Sequence, residues 1–410
     1  MTDRRSFLKS MAGIAPAALI RPFGNEYKAV NPARHQDGAG EKDYFKDLGI
    51  KSFINAAAPY SSLGGAQMWP GVIQALNYAA TRRARMKELH DAIGIRIASL
   101  LGSEAAMVPA GATSAMTLGT AACMAGTNDD FIHRLPDTKG MKDEVIIQKA
   151  HRYSYEHAVR NCGARLIEVE TVEDIKKAVN KKTAMMLFYY GREQEGKLKA
   201  EEFVKLGRDL SVPSFCDGAT TVPPVENILK LVGYGFDLIC FSGGKGLRGP
   251  FSAGLLLGRR DLISAARLNS SPNDDTIGRG MKVSKEELLG MMVAVEISLN
   301  HDYEEEWRAK KKWLEHIADR VTAIPGITAE IFVPEIAEHL PHLRLEWEES
   351  AISLSPAEVV DRLREGDPSI EVSSFFLTHG KFELSAWEMQ PGEAEIVARR
   401  LEEVLSNEKD

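Results

Sequence analysis

Between residues 106 and 258, short apolar runs alternate with segments patterned as helices, and this alternation limits the fold more than any other feature of the chain. The runs at 106–109, 145–148, 166–169, 184–189, 214–216 and 255–258 carry almost no polar residue, so each reads as a strand covered on both faces. Helical patterns at 172–180 and 200–210 fall between them. Such alternation builds a mostly parallel sheet with helices on both sides, the α/β class. Sheets of this kind bind ligands outside the carboxyl ends of their strands. Gly111, His151, Asp217 and Lys245 each fall at such an end.

Two of these residues carry recognisable chemistry. Asp217 is the lone carboxylate in Phe215-Cys216-Asp217-Gly218-Ala219-Thr220, and Lys245 is the first amine in the glycine-rich stretch 241–250. A buried lysine with few cationic neighbours has a depressed pKa and can form a Schiff base with a carbonyl. A carboxylate beside a pyridine nitrogen keeps that ring an electron sink. Together they point to pyridoxal 5'-phosphate (PLP). In Gly111-Ala112-Thr113-Ser114 a strand breaks at the glycine and a helix is expected to start at Thr113 or Ser114. Free N–H groups, the helix dipole and two hydroxyls would make that start a phosphate site. His151 is the first side chain after its strand able to stack on an aromatic cofactor, with Tyr155 in reserve. Upstream, the loop of small residues at 54–65, holding Asn55 and Tyr60, is expected to close over a ligand.

At 410 residues the chain has room for two domains, and 44% hydrophobic with 27% charged residues describe a globular protein. The net charge of -7 with scattered Lys and Arg offers no basic face for nucleic acid. The four cysteines form no CxxC pair, and no His or Cys spacing suggests a metal. The amino terminus reads Arg4-Arg5-Ser6-Phe7-Leu8-Lys9 before a short apolar stretch, the order of a twin-arginine export signal. That stretch is too short for a stable membrane anchor. Export to the periplasm is therefore expected, with a cytoplasmic location as the alternative. The expected organisation is a signal at 1–22, a linker and arm at 23–52, a cofactor-binding domain at 53–284, and a long helix with a small α+β domain at 285–410. Single long helices are expected at 71–101 and 285–321.

These motifs resemble the fold-type I PLP enzymes, and within them the group of bacterial selenocysteine synthase and D-glucosaminate-6-phosphate ammonia-lyase. The similarity spans residues 53–405 and is most specific in Asp217-Gly218-Ala219, in the 241–250 stretch around Lys245, in Gly111-Ala112-Thr113-Ser114 and in Gly278-Arg279-Gly280-Met281-Lys282. The resemblance implies a large domain with a mostly parallel seven-stranded sheet flanked by helices, plus a small C-terminal α+β domain. Lys245 would hold PLP and then shuttle protons, Asp217 would pair with the pyridinium, and His151 would stack on the ring. Ala112, Thr113 and Ser242 would hold the phosphate, with Gly111 and Ser114 in the same cradle. Ala219 and Thr220 would lie beside the ring. Relatives form homodimers or larger rings with shared active sites, so Arg279, Lys282 and the Gly249-Pro250 segment would reach a neighbour.

One departure affects the substrate. The group often carries a small-domain arginine that anchors a substrate carboxylate, but Ser373 and Trp387 stand where it is expected. Either Arg279 or Arg248 would then take that role, or the substrate has no carboxylate to hold. The implied reaction removes the proton α to an amino group and eliminates a β-substituent, turning an amino-sugar acid or hydroxy amino acid into a 2-keto acid and ammonia. Reprotonation on the opposite face would instead make a racemase or epimerase, other transferase chemistry could use the same scaffold, and a protein that binds without turnover is a third reading. A tRNA substrate is disfavoured by the acidity and the lack of an RNA-binding module.

Overall fold

The computed structural model describes residues 42–334, 340–348, 350–373 and 382–406. The expected export signal and residues 23–41 of the linker lie outside the described residues. The large sheet contains β2 (Ala105–Met107), β3 (Glu144–Gln148), β4 (Arg165–Val169), β5 (Thr183–Tyr189), β6 (Ser214–Asp217), β7 (Leu238–Ser242) and β8 (Gly254–Gly258), following β1 (Phe53–Ala56) in the chain. Its order is β2-β8-β7-β6-β5-β3-β4. β8 is antiparallel to β2 and β7, and the other pairs are parallel. The expected seven-stranded, mostly parallel sheet is present.

Alternation along the strands separates two cores. Met186, Phe188, Cys216, Ile239 and Phe241 join the core that also holds Phe203 and Leu231 from the helices Ala200–Asp209 and Glu226–Tyr234. Met185, Leu187, Phe215 and Cys240 face the other core, with Met116, Leu118 and Ala122 of the helix Gly111–Ala125. Full burial of each phenylalanine contributes about 2–3 kcal/mol. Period two puts Asp217 on the same side as Phe215, toward the helix that starts at Gly111. That helix can lie close because Gly119 meets the Phe215 ring, where a Cβ would stand 2.4 Å from Cε1.

Both long helices are interrupted. The expected 71–101 helix is two, Pro70–Ala80 and Met86–Leu101. Between them Arg82 turns back, donating to the Tyr78 carbonyl at 2.9 Å with its guanidinium 3.8 Å from the Tyr78 ring centre. The expected 285–321 helix is Lys285–Ser298 and Tyr303–Val321. Asp302 restarts it by accepting from the N–H groups of Glu304 and Glu305, an N-cap bond that competes with helix continuation.

The small domain pairs β9 (Ile327–Phe332), β10 (His342–Trp347) and β12 (Phe382–Ser385) in the antiparallel order β12-β10-β9. β11 (Ser369–Val372) pairs in parallel with β1. β1 therefore lies outside the seven-stranded sheet. Ile54 and Ala56 pack with Leu314, Ile370 and Val372 in the small-domain core. From there the chain crosses to the large domain through residues 57–69.

Candidate active site

The turn after β7 presents Lys245. Gly243 donates to the Ala253 carbonyl at 2.9 Å, Gly249 to the Gly243 carbonyl at 2.8 Å, and Arg248 to the Lys245 carbonyl at 2.8 Å. Gly246 lets this turn press on the loop after β6, since a Cβ there would stand 2.2 Å from the Val222 carbonyl oxygen. Burial lowers the Lys245 amine below the ordinary lysine range, and the nearby Asp217 charge acts in the opposite sense.

Asp217 closes β6 and is 3% exposed. Oδ1 accepts the Ala219 N–H at 2.9 Å, and Oδ2 accepts the Tyr153 hydroxyl at 2.5 Å. Tyr153 lies flat on Tyr189, with ring centres 4.1 Å apart and planes 3° from parallel. Burial and the adjacent Asp217 raise the Tyr153 phenol, which stays protonated and donates. Tyr189 is pushed up to about 12 by burial and by Asp217, against a hydrogen bond with Thr220. Ala219 and Thr220 thus contact this cluster.

His151 does not. It ends a 3-10 turn, Lys149–His151, and is wholly buried. Its ring meets Phe188 edge-on, with centres 4.5 Å apart, and Nδ1 lies 3.4 Å from the Tyr189 N–H that it accepts. Burial lowers it to about 4, so it is neutral at pH 7, and a hydrogen bond to the Arg192 backbone only partly offsets that. The residue on Asp217 is Tyr153, two positions later. Tyr155 is 58% exposed and 6.2 Å from the Tyr153 ring.

At the phosphate end the helix begins at Gly111, with φ +80°, and not at Thr113 or Ser114. Ala110 precedes it and no side chain caps it. The backbone donors of the first turn therefore stay free of side-chain partners, the condition for an anion site. Gly254, which sequence reasoning missed, makes room for it. Gly254 pairs with Ser242 across β7–β8, and a Cβ on it would stand 2.7 Å from Gly111 C and 3.0 Å from Ala112 N. Gly111, Ala112 and Ser242 are thereby side by side, with Thr113 exposed and Ser114 half-buried in the same first turn of the helix.

On the substrate side, Asn55 folds the crossing loop by accepting from the Ala57 N–H at 3.0 Å and donating to the Ala58 carbonyl at 3.1 Å. Tyr60 and Ser373 are hydrogen-bonded through their hydroxyls at 3.2 Å, joining that loop to the small domain. Arg248 is not the open anchor expected. Its Nε donates to the Gln67 carbonyl at 3.0 Å and its guanidinium lies 3.9 Å from the Trp69 ring centre. Arg279 binds Asp274 and Ser271, and Lys282 is exposed; within one chain neither joins the Lys245–Asp217 cluster. Arg344 is paired with Glu383 and Glu330, and Arg364 with Glu371, so neither replaces the missing arginine.

These residues fit PLP. The chain offers a buried amine of depressed pKa, a buried carboxylate, a flat aromatic pair and a helix start whose glycine neighbour leaves the backbone approachable. The carboxylate and amine stand at adjacent strand ends, and Ser242–Gly254 links the amine's turn to the cradle.

Comparison with known proteins agrees. The family model "SelA: L-seryl-tRNA selenium transferase" matches residues 74–324. A 5'-C-glycyluridine monooxygenase-decarboxylase of a Streptomyces species is 32% identical over 93% of this chain and 96% of its own. D-glucosaminate-6-phosphate ammonia lyase of Salmonella typhimurium is 26% identical over 89% of this chain and 99% of its own. The solved structure of a D-glucosaminate-6-phosphate ammonia-lyase superposes with a TM-score of 0.78 at 25% identity, covering 90% of this chain and 100% of that one. The chain belongs to the SelA family of PLP-dependent enzymes and has their fold-type I architecture.

Proposed function

We propose that this protein is a PLP-dependent lyase that releases ammonia from a small amino compound by removing the proton α to nitrogen and expelling a β-substituent. The observation carrying this reading is the Lys245–Asp217–Gly111 constellation on a chain aligned nearly end to end with an ammonia lyase. An amino-sugar acid or hydroxy amino acid is the substrate class that suits it. When bound, PLP would supply an electron sink for the carbanion. Lys245 Nζ, neutral more readily than an ordinary lysine, accepts the α-proton and returns it to the leaving group or product. Asp217, fixed by Ala219 and Tyr153, orients the ring and holds its nitrogen charged. Gly111 to Ser114 and Ser242 seat the phosphate, and the 57–69 loop closes the substrate side. Replacing Lys245 with Ala is expected to abolish both ammonia release and the visible absorbance of the lysine-bound cofactor in purified protein. An unchanged spectrum would remove Lys245 from this role.

A second reading has its own support. The Streptomyces relative is named for decarboxylation and oxygenation, and this chain lacks the small-domain arginine that would clamp a carboxylate. Oxidative decarboxylation of an amino acid is therefore the alternative. Assaying ammonia, carbon dioxide and dioxygen uptake together separates the two: ammonia alone supports the lyase, and carbon dioxide with dioxygen consumption the second.

Two further expectations enter as proposals. Self-association with shared sites is supported by apolar side chains left outside, Ile95 at 69% and Tyr78 at 55% exposure. Export is supported by Arg4-Arg5 and the residues after them; fractionation of cells making the protein and its Arg4→Lys, Arg5→Lys form tests it, and a protein that stays cytoplasmic in both overturns it.

A further inference from the structure

Outside the Lys245–Asp217 cluster, a connected set of buried charges lies where the small domain meets the Lys245 turn. Glu388, 6% exposed, accepts the Gln67 N–H on Oε2 at 2.9 Å. The Gln67 carbonyl accepts from Arg248, whose own carbonyl accepts the Trp69 N–H at 3.1 Å. The Trp69 indole donates to the Leu247 carbonyl at 3.1 Å, and its ring lies 4.8 Å from His301. Next to Glu388, the Trp387 carbonyl accepts Lys310 Nζ at 2.6 Å. Lys310 also pairs with Glu306 at 2.8 Å, and the other oxygen of Glu306 bonds His301 at 2.7 Å. One chain of contacts thus runs from residues 387–388 through Gln67–Trp69 into the turn that carries Lys245.

This is the stretch where an arginine anchor was expected, and the chain places an acid there, aimed at a backbone N–H. We propose that Glu388 is a positioning residue: it seats the 57–69 loop against the Lys245 turn, and its protonation state sets how firmly the loop is held.

The neighbouring charges explain why protonation matters. Burial pushes Glu388 up to about 7, Glu306 adds to that push, and the Gln67 N–H, Lys310 and Arg248 oppose it. Lys310 is already committed: burial raises Glu306, but its contacts with His301 and Lys310 bring it down to about 2. Arg248 is committed to the Gln67 carbonyl and the Trp69 face. Neutral Glu388 leaves these partnerships intact. Once ionised, Glu388 binds the Gln67 N–H more strongly, but burying its charge costs more than that bond returns, and the cost is relieved when the loop opens and water reaches the carboxylate. The folded value lies above the ordinary glutamate value of 4.5, so this contribution to stability is fully present below 4.5 and is lost as pH rises to about 7.

The test uses the PLP-loaded protein. Hydrogen exchange over residues 57–69, corrected for the intrinsic rate, is expected to lose protection several-fold in the native chain as pH rises from 6 to 8. Glu388→Gln keeps a neutral acceptor and should hold protection constant across that range, while Glu388→Ala should lose it at both ends. The melting temperature of Glu388→Gln should rise relative to native by a few degrees as pH increases through 7. The idea is overturned if Glu388→Gln follows the native pH dependence, or if Glu388→Ala leaves exchange over 57–69 unchanged. Neither measurement needs a substrate, so a failure of turnover bears on the proposed reaction and not on this role.

Discussion

At the scale of single residues, chemistry and orientation were legible to different degrees. Lys245 and Asp217 could be read because a charged residue ending an apolar strand has few reasons to be there other than function. His151 also ends a strand, yet a 3-10 turn rotates it into the core and brings Tyr153 to Asp217. Nothing in the residue pattern separates that turn from an ordinary loop, so the Tyr153 bond to Asp217 had no signal in the sequence. The two roles separate experimentally. Tyr153→Ala should weaken PLP retention by about tenfold, read by absorbance after dialysis, since it removes both the ring and a charge-assisted hydrogen bond. His151→Ala should leave retention intact and cost about 1–3 kcal/mol in denaturant unfolding, as a cavity under Phe188 would. The lysine gives a pH signature. Its folded pKa is depressed, so the charged amine destabilises the apoprotein at low pH, and this penalty shrinks as pH rises from the folded value and is gone above 10.5. Lys245→Met apoprotein should therefore melt higher than native apoprotein at pH 7, with the gap narrowing toward pH 10.

At the scale of elements, the strands were readable and the connections were not. Buried parallel strands announce themselves by unbroken apolar runs, and the six expected runs matched β2 to β6 and β8 closely. The long helices broke where local polar groups, Arg82 and Asp302, offered the backbone an alternative partner. β1 pairs with β11, which its residues do not announce, because a four-residue strand says nothing about which sheet it will join. The glycines of the site carry the corresponding prediction. At Gly246 and Gly254 a Cβ would meet backbone atoms at 2.2 and 2.7 Å, which no rotamer change relieves. Gly254→Ala should push the Gly111 helix start away and weaken PLP binding, with stability reduced by about 1–3 kcal/mol. Gly246→Ala should act on the amine instead, shifting the Lys245 turn off Val222. Its signature is a changed cofactor spectrum with the phosphate cradle still loaded.

At the scale of the whole molecule, one chain leaves part of the expected site elsewhere. Arg279 and Lys282, candidates for an anionic group, do not join Lys245 within the protomer, and Arg279 is instead tied to Asp274 and Ser271. If they serve a site, it is a neighbour's. The helices Pro70–Ala80 and Met86–Leu101 carry Tyr78 and Ile95 on their outer sides, apolar surface that a partner would cover. Both residues are remote in sequence from the cofactor cluster and, being exposed, contribute little to the folded monomer. A Tyr78→Glu, Ile95→Glu double variant is therefore expected to keep its melting temperature within a few degrees while its mass by light scattering falls to that of one chain. If the sites are shared, turnover should fall with the dissociation and recover as protein concentration is raised. A variant that becomes monomeric and keeps full turnover at every concentration would place the complete site within a single chain and leave Arg279 and Lys282 without a catalytic partner.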